Sequence, residues 1–343
     1  MSILGRFSID GFVLALLGAV AVASIFPATG TAADVVGWAT TLAIGLLFLL
    51  GARLSPAEAW HGVRHWRLHS VILAMTFVVF PLLGLALRVL TPGIVTDELY
   101  TGILFLCLVP STVQSSIAFT SIARGNVGGA IVSASFSNIV GVFVTPLLVV
   151  LLMTTTGDAH VDASSAVAIL LQLLVPFVVG QLLRPLVGGW VQRHAKPTKI
   201  VDRGSILLVV YAAFGEGMNQ GIWSTISVGQ ILVLAAVCVV LLAVVLGISA
   251  GLGRLLRFDA ADRIVILFCG SKKSLASGLP MAAVLFSGSQ VSLIVLPLML
   301  FHQIQLIVCA VLAQRLARRR EAEEISPGTP TAPGEPQRRA AHP

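Results

Sequence analysis

Charged side chains are scarce in this chain. Asp, Glu, Lys and Arg make up 11% of its 343 residues, whereas hydrophobic residues make up 57%. A soluble domain carries about 25% charged residues, so the composition excludes a protein with an adequate polar surface in water and predicts a membrane protein. The formal net charge of +7 does not indicate a nucleic-acid partner, because the basic residues fall in short runs between apolar segments, where they set orientation.

Cysteine and catalytic motifs are also sparse. The four cysteines show neither metal-ligand spacing nor a disulfide framework, and we interpret them as small core residues. The sequence lacks a Ser/His/Asp arrangement, a metal-ligand motif and a nucleotide-binding loop. We therefore expect neither an enzyme nor a bound cofactor. No cleavable signal peptide is evident.

Long apolar runs are abundant, and ten of them are long enough to cross a membrane as helices. Lys and Arg concentrate in alternate connections, for example at Arg64, Arg124, Arg203 and Arg263, which the positive-inside rule places in the cytoplasm. The sequence predicts an all-α polytopic protein of a bacterial inner (plasma) membrane with both termini cytoplasmic. The predicted spans are Gly11 to Pro27, Val35 to Ala52, His69 to Leu90, Leu99 to Ala123, Val127 to Met153, Ala166 to Leu186, Gly204 to Gln220, Val228 to Leu252, Ile264 to Phe286, and Val291 to Arg315.

The composition changes abruptly after Arg320. The remaining residues are rich in proline and have almost no large apolar side chains. Such a segment cannot bury enough surface to offset the entropy of ordering it. We predict a disordered cytoplasmic tail over residues 316–343.

The most informative stretch is Ile264 to Phe286, which places Lys272 and Lys273 in the middle of a predicted span. The apolar pieces on either side are too short to cross a membrane alone, so the two lysines must lie at depth. Ionisable groups there usually face water or a partner and mark transport pathways. We expect both lysines in a water-filled pocket, although one of them can instead hold a helix interruption together.

The hydropathy pattern and the helix breaks of residues 1–160 recur in residues 161–315, which predicts an internal duplication. Pro110 in span four falls at a position equivalent to Gly270 in span nine, and both interrupt a helix. Five spans are an odd number, so the repeats would have inverted topology. The half-helix ends freed at such breaks attract ions, and we expect the two polar clusters to meet near the bilayer centre. They contain Ser111, Thr112, Gln114, Ser115 and Ser116 in span four, and Ser271, Lys272, Lys273, Ser274 and Ser277 in span nine.

Three segments carry a resemblance to a known family: CGSKKSLASGLPMAAVLF at residues 269–286, YAAFGEGMNQGIW from Tyr211 to Trp223, and ARGN from Ala123 to Asn126. On the basis of these segments, the chain resembles the bile acid:sodium symporter superfamily and, within that superfamily, the SBF-like branch. The resemblance implies ten helices in an inverted five-helix repeat. It also implies a panel domain from spans one, two, six and seven, and a core domain from spans three to five and eight to ten, with broken spans four and nine crossing.

The family's sodium sites match this sequence in part. The resemblance places Thr76 at the family's span-three glutamine, and Ser115 and Ser116 at its Ser-Asn pair, which makes these two serines possible sodium ligands. The acidic residue of the span-nine motif has no counterpart, because Gly270 or Ser271 stands there, followed by the lysines. A hard cation prefers several oxygens, including carboxylate, and an ammonium nearby would repel it or take its place. The sequence therefore leaves three kinds of transport cycle open: sodium-coupled, proton-linked and uncoupled.

Two classes of function fit the sequence. The first is a secondary transporter that moves a small, anionic organic solute by alternating access, with the core rocking against the panel. The second is a non-transporting membrane regulator or scaffold that affects ion homeostasis or envelope assembly. Polar groups at mid-membrane favour transport, since a scaffold gains nothing from them. The predicted solute- or ion-binding residues are Thr76, Ser111, Thr112, Gln114, Ser115, Ser116, Ser137, Asn138, Ser271, Lys272, Lys273, Ser274, His302 and Gln303.

Overall fold

A computed structural model describes residues 11–50, 65–153, 193–219, 226–286 and 290–325, with residue 221 and several residues between 175 and 186. The regular elements among these residues are all helices, as predicted from the apolar runs. They are α1 (Gly11–Ile25), α2 (Thr31–Leu50), α3 (Trp66–Leu90), α4 (Asp97–Leu108), α5 (Gln114–Ile122), α6 (Val127–Met153), α7 (Ala195–Asn219), α8 (Val228–Leu255), α9 (Ala260–Gly270), α10 (Leu275–Leu285) and α11 (Gln290–Ile325).

Four of these helices are long and apolar enough to cross a membrane. They are α3, α6, α8 and the part of α11 from Val291 to Glu321. Large apolar side chains are also exposed on the outside of the bundle, such as Trp38, which is 74% exposed, and a surface of this kind is stable in lipid rather than water. The chain is an integral membrane protein. Predicted span six lies almost entirely outside the described residues, so the count of ten spans stays a prediction.

Helices α5 and α8 are each followed, two residues after the last helical residue, by an arginine in the left-handed conformation. The φ angles are +58° at Arg124 and +56° at Arg257. In each turn the next N–H bonds the carbonyl five residues earlier, at 2.8 Å for Gly125 and 3.1 Å for Phe258, which is the Schellman ending of a helix. These turns reverse the chain at the end of the bundle that contains Arg124, Arg254, Arg257 and Arg263. We call this end the Arg-rich end.

Helix α11 is longer than the predicted span. It continues past Arg315 to Ile325, so residues 316–325 are helical where the sequence predicts disorder. The extension contacts the turn after α5: the Arg124 and Glu321 side chains form an ion pair at 2.8 Å, and Arg320 Nη1 donates to the Arg124 carbonyl at 2.6 Å. Residues 326–343 of the predicted tail lie outside the described residues.

The helices form two packing groups. Helix α7 packs against α1 and α2, and two of its side chains hold the loop between them: Tyr211 Oη donates to the Phe26 carbonyl at 2.9 Å, and Asn219 Nδ2 donates to the Ala28 carbonyl at 2.7 Å. The other helices pack around the interruption between α4 and α5 and the interruption between α9 and α10. The panel and core domains themselves stay a prediction.

Candidate functional site

The two predicted helix interruptions meet inside the bundle. The first separates α4 from α5 over residues 109–113, and the second separates α9 from α10 over residues 271–274. The Ser274 N–H donates to the Pro110 carbonyl at 2.8 Å, and Ser111 Oγ donates to the Cys269 carbonyl at 2.6 Å. Each break is therefore bonded to the other, and we call the two segments together the crossing.

Pro110 explains the first interruption. Proline has no N–H to donate and disfavours helical backbone at the residue before it, and Val109 is accordingly extended, with φ −73° and ψ 155°. Helix α6 approaches the break closely at Gly141, where a Cβ would lie 2.6 Å from Pro110 Cβ. A side chain at Gly141 would push the break away from α6.

Main-chain carbonyls at the first interruption accept hydrogen bonds from other elements. A carbonyl left unpaired in hydrocarbon costs several kcal/mol, so these partners hold the break in place. Five consecutive carbonyls are bonded in this way: those of Cys107 and Val109 by Lys273 Nζ, that of Leu108 by Thr145 Oγ1, that of Pro110 by the Ser274 N–H, and that of Ser111 by Asn138 Nδ2.

The end of α9 is held in a similar way by serine hydroxyls, which bond the three consecutive carbonyls of Leu267, Phe268 and Cys269 from Ser271, Ser116 and Ser111 respectively. Beyond α9, Gln305 of α11 bonds both main-chain groups of Lys273. Its Oε1 accepts from the Lys273 N–H at 2.9 Å, and its Nε2 donates to the Lys273 carbonyl at 2.8 Å. His302 Nδ1 lies 2.9 Å from that same Nε2.

The ammonium of Lys273 lies in a site built from main-chain oxygens. The side chain is fully buried, and Nζ donates to the carbonyls of Thr76, Cys107 and Val109 at 2.9, 2.8 and 2.8 Å. It also lies 4.1 Å from the centroid of the Phe80 ring, a favourable cation–π distance. Three acceptors use all three ammonium hydrogens. Two of them lie at the carboxyl end of α4, where the helix dipole favours a cation.

The carbonyl of Thr76 is available to Lys273 because α3 contains a π-helical turn over Met75–Val79. In such a turn each N–H bonds a carbonyl five residues back, so the donor for Thr76 would be Pro81, which has no N–H. The Thr76 hydroxyl donates to the Ile72 carbonyl of its own helix at 2.9 Å. Thr76 thus reaches the crossing through its main chain rather than through the predicted side chain.

Lys272 is buried among different helices. Its side chain has 0% exposure, and Nζ lies 3.8 Å from the Phe119 ring centroid and 5.4 Å from that of Phe268. No side chain or main-chain group in the described part of the chain accepts a hydrogen bond from it. The Phe119 and Phe268 rings belong to a buried apolar cluster that also contains Ala123, Ile264, Cys309 and Ala313, and we call it the Lys272 cluster. Neither lysine contacts solvent, in contrast to the expected water-filled pocket.

Predicted site residues on α6 link the two interruptions. Ser137 Oγ accepts from the Ser111 N–H at 3.2 Å. Asn138 donates to the Ser111 carbonyl at 2.6 Å, and its Oδ1 accepts from Ser277 Oγ at 2.7 Å. One side chain of α6 therefore bonds both broken helices.

The remaining predicted residues differ in their distance from the crossing. Ser115 Oγ, in the first turn of α5, donates to Thr112 Oγ1 of the first break at 3.4 Å, which is a weak bond. Gln114 is exposed in the first turn of α5. Gln303 is half-buried on α11 and forms no hydrogen bond with the residues that the structure describes, whereas its neighbour Gln305, absent from the predicted set, does. Gln305 follows His302 by three residues, a spacing that places both on one helix face and would have indicated it.

Sodium does not fit the oxygen cluster beside α4. Lys273 Nζ already bonds those carbonyls, and a second cation at contact distance would be repelled strongly in a medium of low dielectric constant. The Ser116 hydroxyl, a predicted sodium ligand, donates to the Phe268 carbonyl at 3.3 Å.

Comparisons with known proteins show the family to which the chain belongs. Residues 10–318 match the SBF-like CPA transporter family. The chain is similar to PA2026 of Pseudomonas aeruginosa, with 55% identity over 317 residues that cover 92% of this chain and 95% of that protein. It is similar to "Putative symporter YfeH" of Escherichia coli K12 (49% identity; 91% and 94% covered) and to "Sodium/bile acid cotransporter 7" of Rattus norvegicus (28%; 91% and 94%). The chain belongs to the SBF-like CPA transporter family, which confirms the resemblance drawn from its three sequence segments.

Proposed function

We propose that the protein is a secondary transporter of a small organic anion that works by alternating access. The observation that carries this proposal is the crossing of two interrupted helices, in which a lysine of the chain fills a cation site made of main-chain carbonyls. Membership of a transporter family supports it. A membrane scaffold would gain nothing from a buried ammonium held in this way.

The amino ends of α5 and α10 favour an anionic solute. Both half-helices begin at the crossing, and helix amino ends present unpaired N–H groups and partial positive charge. Gln114 and Ser115 lie in the first turn of α5, and Ser277 lies in the first turn of α10. Helix α7 packs against α10 and α11. We place the solute between the crossing and α7, with its carboxylate or sulfonate at these helix ends.

The positive charge of Lys273 replaces a bound sodium ion in the proposed cycle. Three main-chain carbonyls hold its ammonium, those of Thr76 in α3, Cys107 in α4 and Val109 directly after α4. The charge that balances the solute is therefore part of the chain. Solute transport would then need no sodium at this position and would be proton-linked or uncoupled. The helices around the crossing would move as one body against α1, α2 and α7, with both termini in the cytoplasm.

Uptake into proteoliposomes tests the proposal. Radiolabelled taurocholate is the first probe, because the relatives with sodium/bile acid names suggest this chemistry, followed by a panel of other organic carboxylates and sulfonates. We expect saturable uptake of at least one of these anions at equal rates in sodium and choline buffers. Sodium-dependent uptake would overturn the role given to Lys273, and no uptake of any anion by correctly folded protein would overturn transport.

A pair of glutamine variants provides the matched control. Gln114→Ala removes a side chain at the proposed solute site, and Gln303→Ala removes one that forms no hydrogen bond in the described structure. We expect the first change to lower uptake and the second to leave it unchanged. Equal uptake by both variants would exclude the amino end of α5 as a solute contact.

A further inference from the structure

The nitrogen of Lys272 has the least complete bonding of any ionisable group at the crossing. The buried side-chain atoms without a hydrogen-bond partner among the described residues are Lys272 Nζ and four hydroxyl oxygens, those of Thr40, Tyr100, Thr120 and Ser249. Lys272 Nζ is the one basic nitrogen in this group. Its neighbour Lys273 has three acceptors, so one stretch of chain contains a fully bonded and an unbonded lysine.

The described residues around Lys272 provide no counter-ion. Helix α5 contributes the Phe119 ring and has no titratable side chain. Helix α9 contributes Phe268 and the thiol of Cys269, and α11 contributes the thiol of Cys309. Among the described residues, the titratable groups that face the amine are therefore these two thiols, and no carboxylate faces it.

An ammonium in this packing would be poorly stabilised. Contact with aromatic faces contributes about 0.5–2 kcal/mol, whereas the effective penalty for burying an ion is several kcal/mol unless a partner compensates it. The neutral amine fits this environment, because it lacks the charge that would need a counter-ion. A charged Lys272 requires water or an anion to reach its nitrogen, and hence a different packing of α5, α9 and α11.

The same three helices meet at the Arg-rich end of the bundle, close to the Lys272 cluster. Buried Ala123 and Ala313 belong to that cluster, and Arg124 directly follows the first of them. Beyond these small side chains lie polar contacts: the Arg124–Glu321 ion pair at 2.8 Å and the Asn126 amide donating to Asp262 Oδ1, also at 2.8 Å. Separation of these contacts would uncover the small side chains of Ala123 and Ala313 on this side of the cluster.

We propose that Lys272 is the proton-carrying group of the transport cycle, reached from the Arg-rich end of the bundle. This inference rests on the transport function proposed above. In the packing described here the amine is neutral. When the Lys272 cluster opens, the nitrogen lone pair binds one proton from water on that side to give an ammonium. In the opposite-facing state of the proposed alternating-access cycle, the ammonium releases that proton to water on the other side of the membrane, and the neutral amine is restored. Lys273 stays an ammonium throughout, because each of its N–H groups has an acceptor.

Nitrogen NMR of the full-length protein in lipid bilayers tests the protonation states directly. The chain has four lysines, Lys196, Lys199, Lys272 and Lys273, so ¹⁵N-lysine labelling gives a short spectrum in which amine and ammonium nitrogens have different shifts. At neutral pH we expect one amine signal that disappears in Lys272→Met. Four ammonium signals in the wild type, or an amine signal that persists in Lys272→Met, would overturn the proposal.

Proton movement in pyranine-loaded proteoliposomes tests the coupling. With an inward gradient of a transported anion, we expect the wild type and a Lys196→Met control, which removes an exposed lysine of α7, to move protons, whereas Lys272→Met does not. Proton movement by Lys272→Met equal to that of the wild type would overturn the proposal. If the wild-type protein shows the amine signal but transports no anion of the panel, the proposed transport function is overturned and a titrating Lys272 is retained. The failure of this inference and the failure of the proposed function are therefore distinguishable.

Discussion

Lys272 and Lys273 are adjacent and chemically identical, but they occupy opposite environments. Lys273 Nζ is bonded by three carbonyls, and Lys272 Nζ has ring faces for neighbours. The segment between α9 and α10 is not helical, and non-helical backbone can direct neighbouring side chains to different sides of the chain. The break therefore gives one residue type two roles, a fixed charge at Lys273 and an unbonded amine at Lys272.

The largest expected effect is that of Lys273→Met. The change leaves the carbonyls of Thr76, Cys107 and Val109 without their donor. Each unsatisfied buried polar group costs about 1–3 kcal/mol, so the three together cost about 3 kcal/mol or more. We expect a decrease of this size in the free energy of unfolding, measured by denaturant titration in detergent micelles. Unchanged stability would show that the three bonds do not hold the crossing, and would remove the difference between the two lysines.

A small cation should partly replace the missing side chain. Lys273→Ala leaves the oxygen cluster beside α4 without its ammonium, so methylammonium or sodium can bind there and stabilise the fold in proportion to the logarithm of its concentration. We expect the melting temperature of this variant to rise with either ion, and that of the wild type to stay constant. Lys272→Ala is the matched control, because no carbonyl cluster surrounds its nitrogen. Equal responses of the two variants would contradict a cation site at Lys273.

A smaller loss is expected for Gln305→Leu. The substitution removes both hydrogen bonds to the main chain of Lys273, and an unsatisfied buried polar group costs about 1–3 kcal/mol. We expect the free energy of unfolding to fall by about 2 kcal/mol, whereas Gln303→Leu changes it by less than about 0.5 kcal/mol. The ratio of these two effects in the same denaturant titration is the check, and its reversal would contradict the assigned hydrogen bonds.

The sequence indicates the crossing because its cause is visible in single residues. Pro110 and the lysine pair stand inside apolar runs, and neither belongs in an uninterrupted lipid-facing helix. Span five was predicted at Val127–Met153, the bounds that α6 has, because its apolar run lies between a Gly-Asn turn and a polar segment. Such local signals are sufficient to locate helices and breaks.

The directions of side chains at the crossing were not predictable in this way. The different environments of Lys272 and Lys273 depend on packing against α4, α5 and α11, to which local sequence gives no guide. The π-helical turn in α3 depends on tertiary contacts as well, although Pro81 indicates a carbonyl without a donor. The helical extension to Ile325 was missed because its Arg and Glu residues resemble those of a solvated tail, whereas Arg124 and Glu321 pair across the Arg-rich end.

Lys272→Met should change the free energy of unfolding less than Lys273→Met does. Methionine has nearly the length of lysine without the amine, so the change removes an unbonded polar atom from an apolar cluster. Replacing a buried ionisable group by an apolar side chain of similar volume is often neutral or stabilising. We expect the free energy of unfolding to stay within about 1 kcal/mol of the wild type or to rise. A loss as large as that of Lys273→Met would mean that the amine has a partner.

The smallest effect is expected at the ion pair over the Lys272 cluster. Arg124 and Glu321 are 42% and 51% exposed, and solvent screening limits such a pair to about 0–1 kcal/mol. Glu321→Gln keeps the shape of the side chain and removes its charge, so we expect a loss of about 0.5 kcal/mol or less that disappears in high salt. Denaturant titrations of the wild type and of Glu321→Gln at two salt concentrations measure it. A salt-independent loss of more than about 1 kcal/mol would mean that this contact supports the whole corner of α5, α9 and α11, and the Lys272 cluster would then be as firmly held as the oxygen site of Lys273.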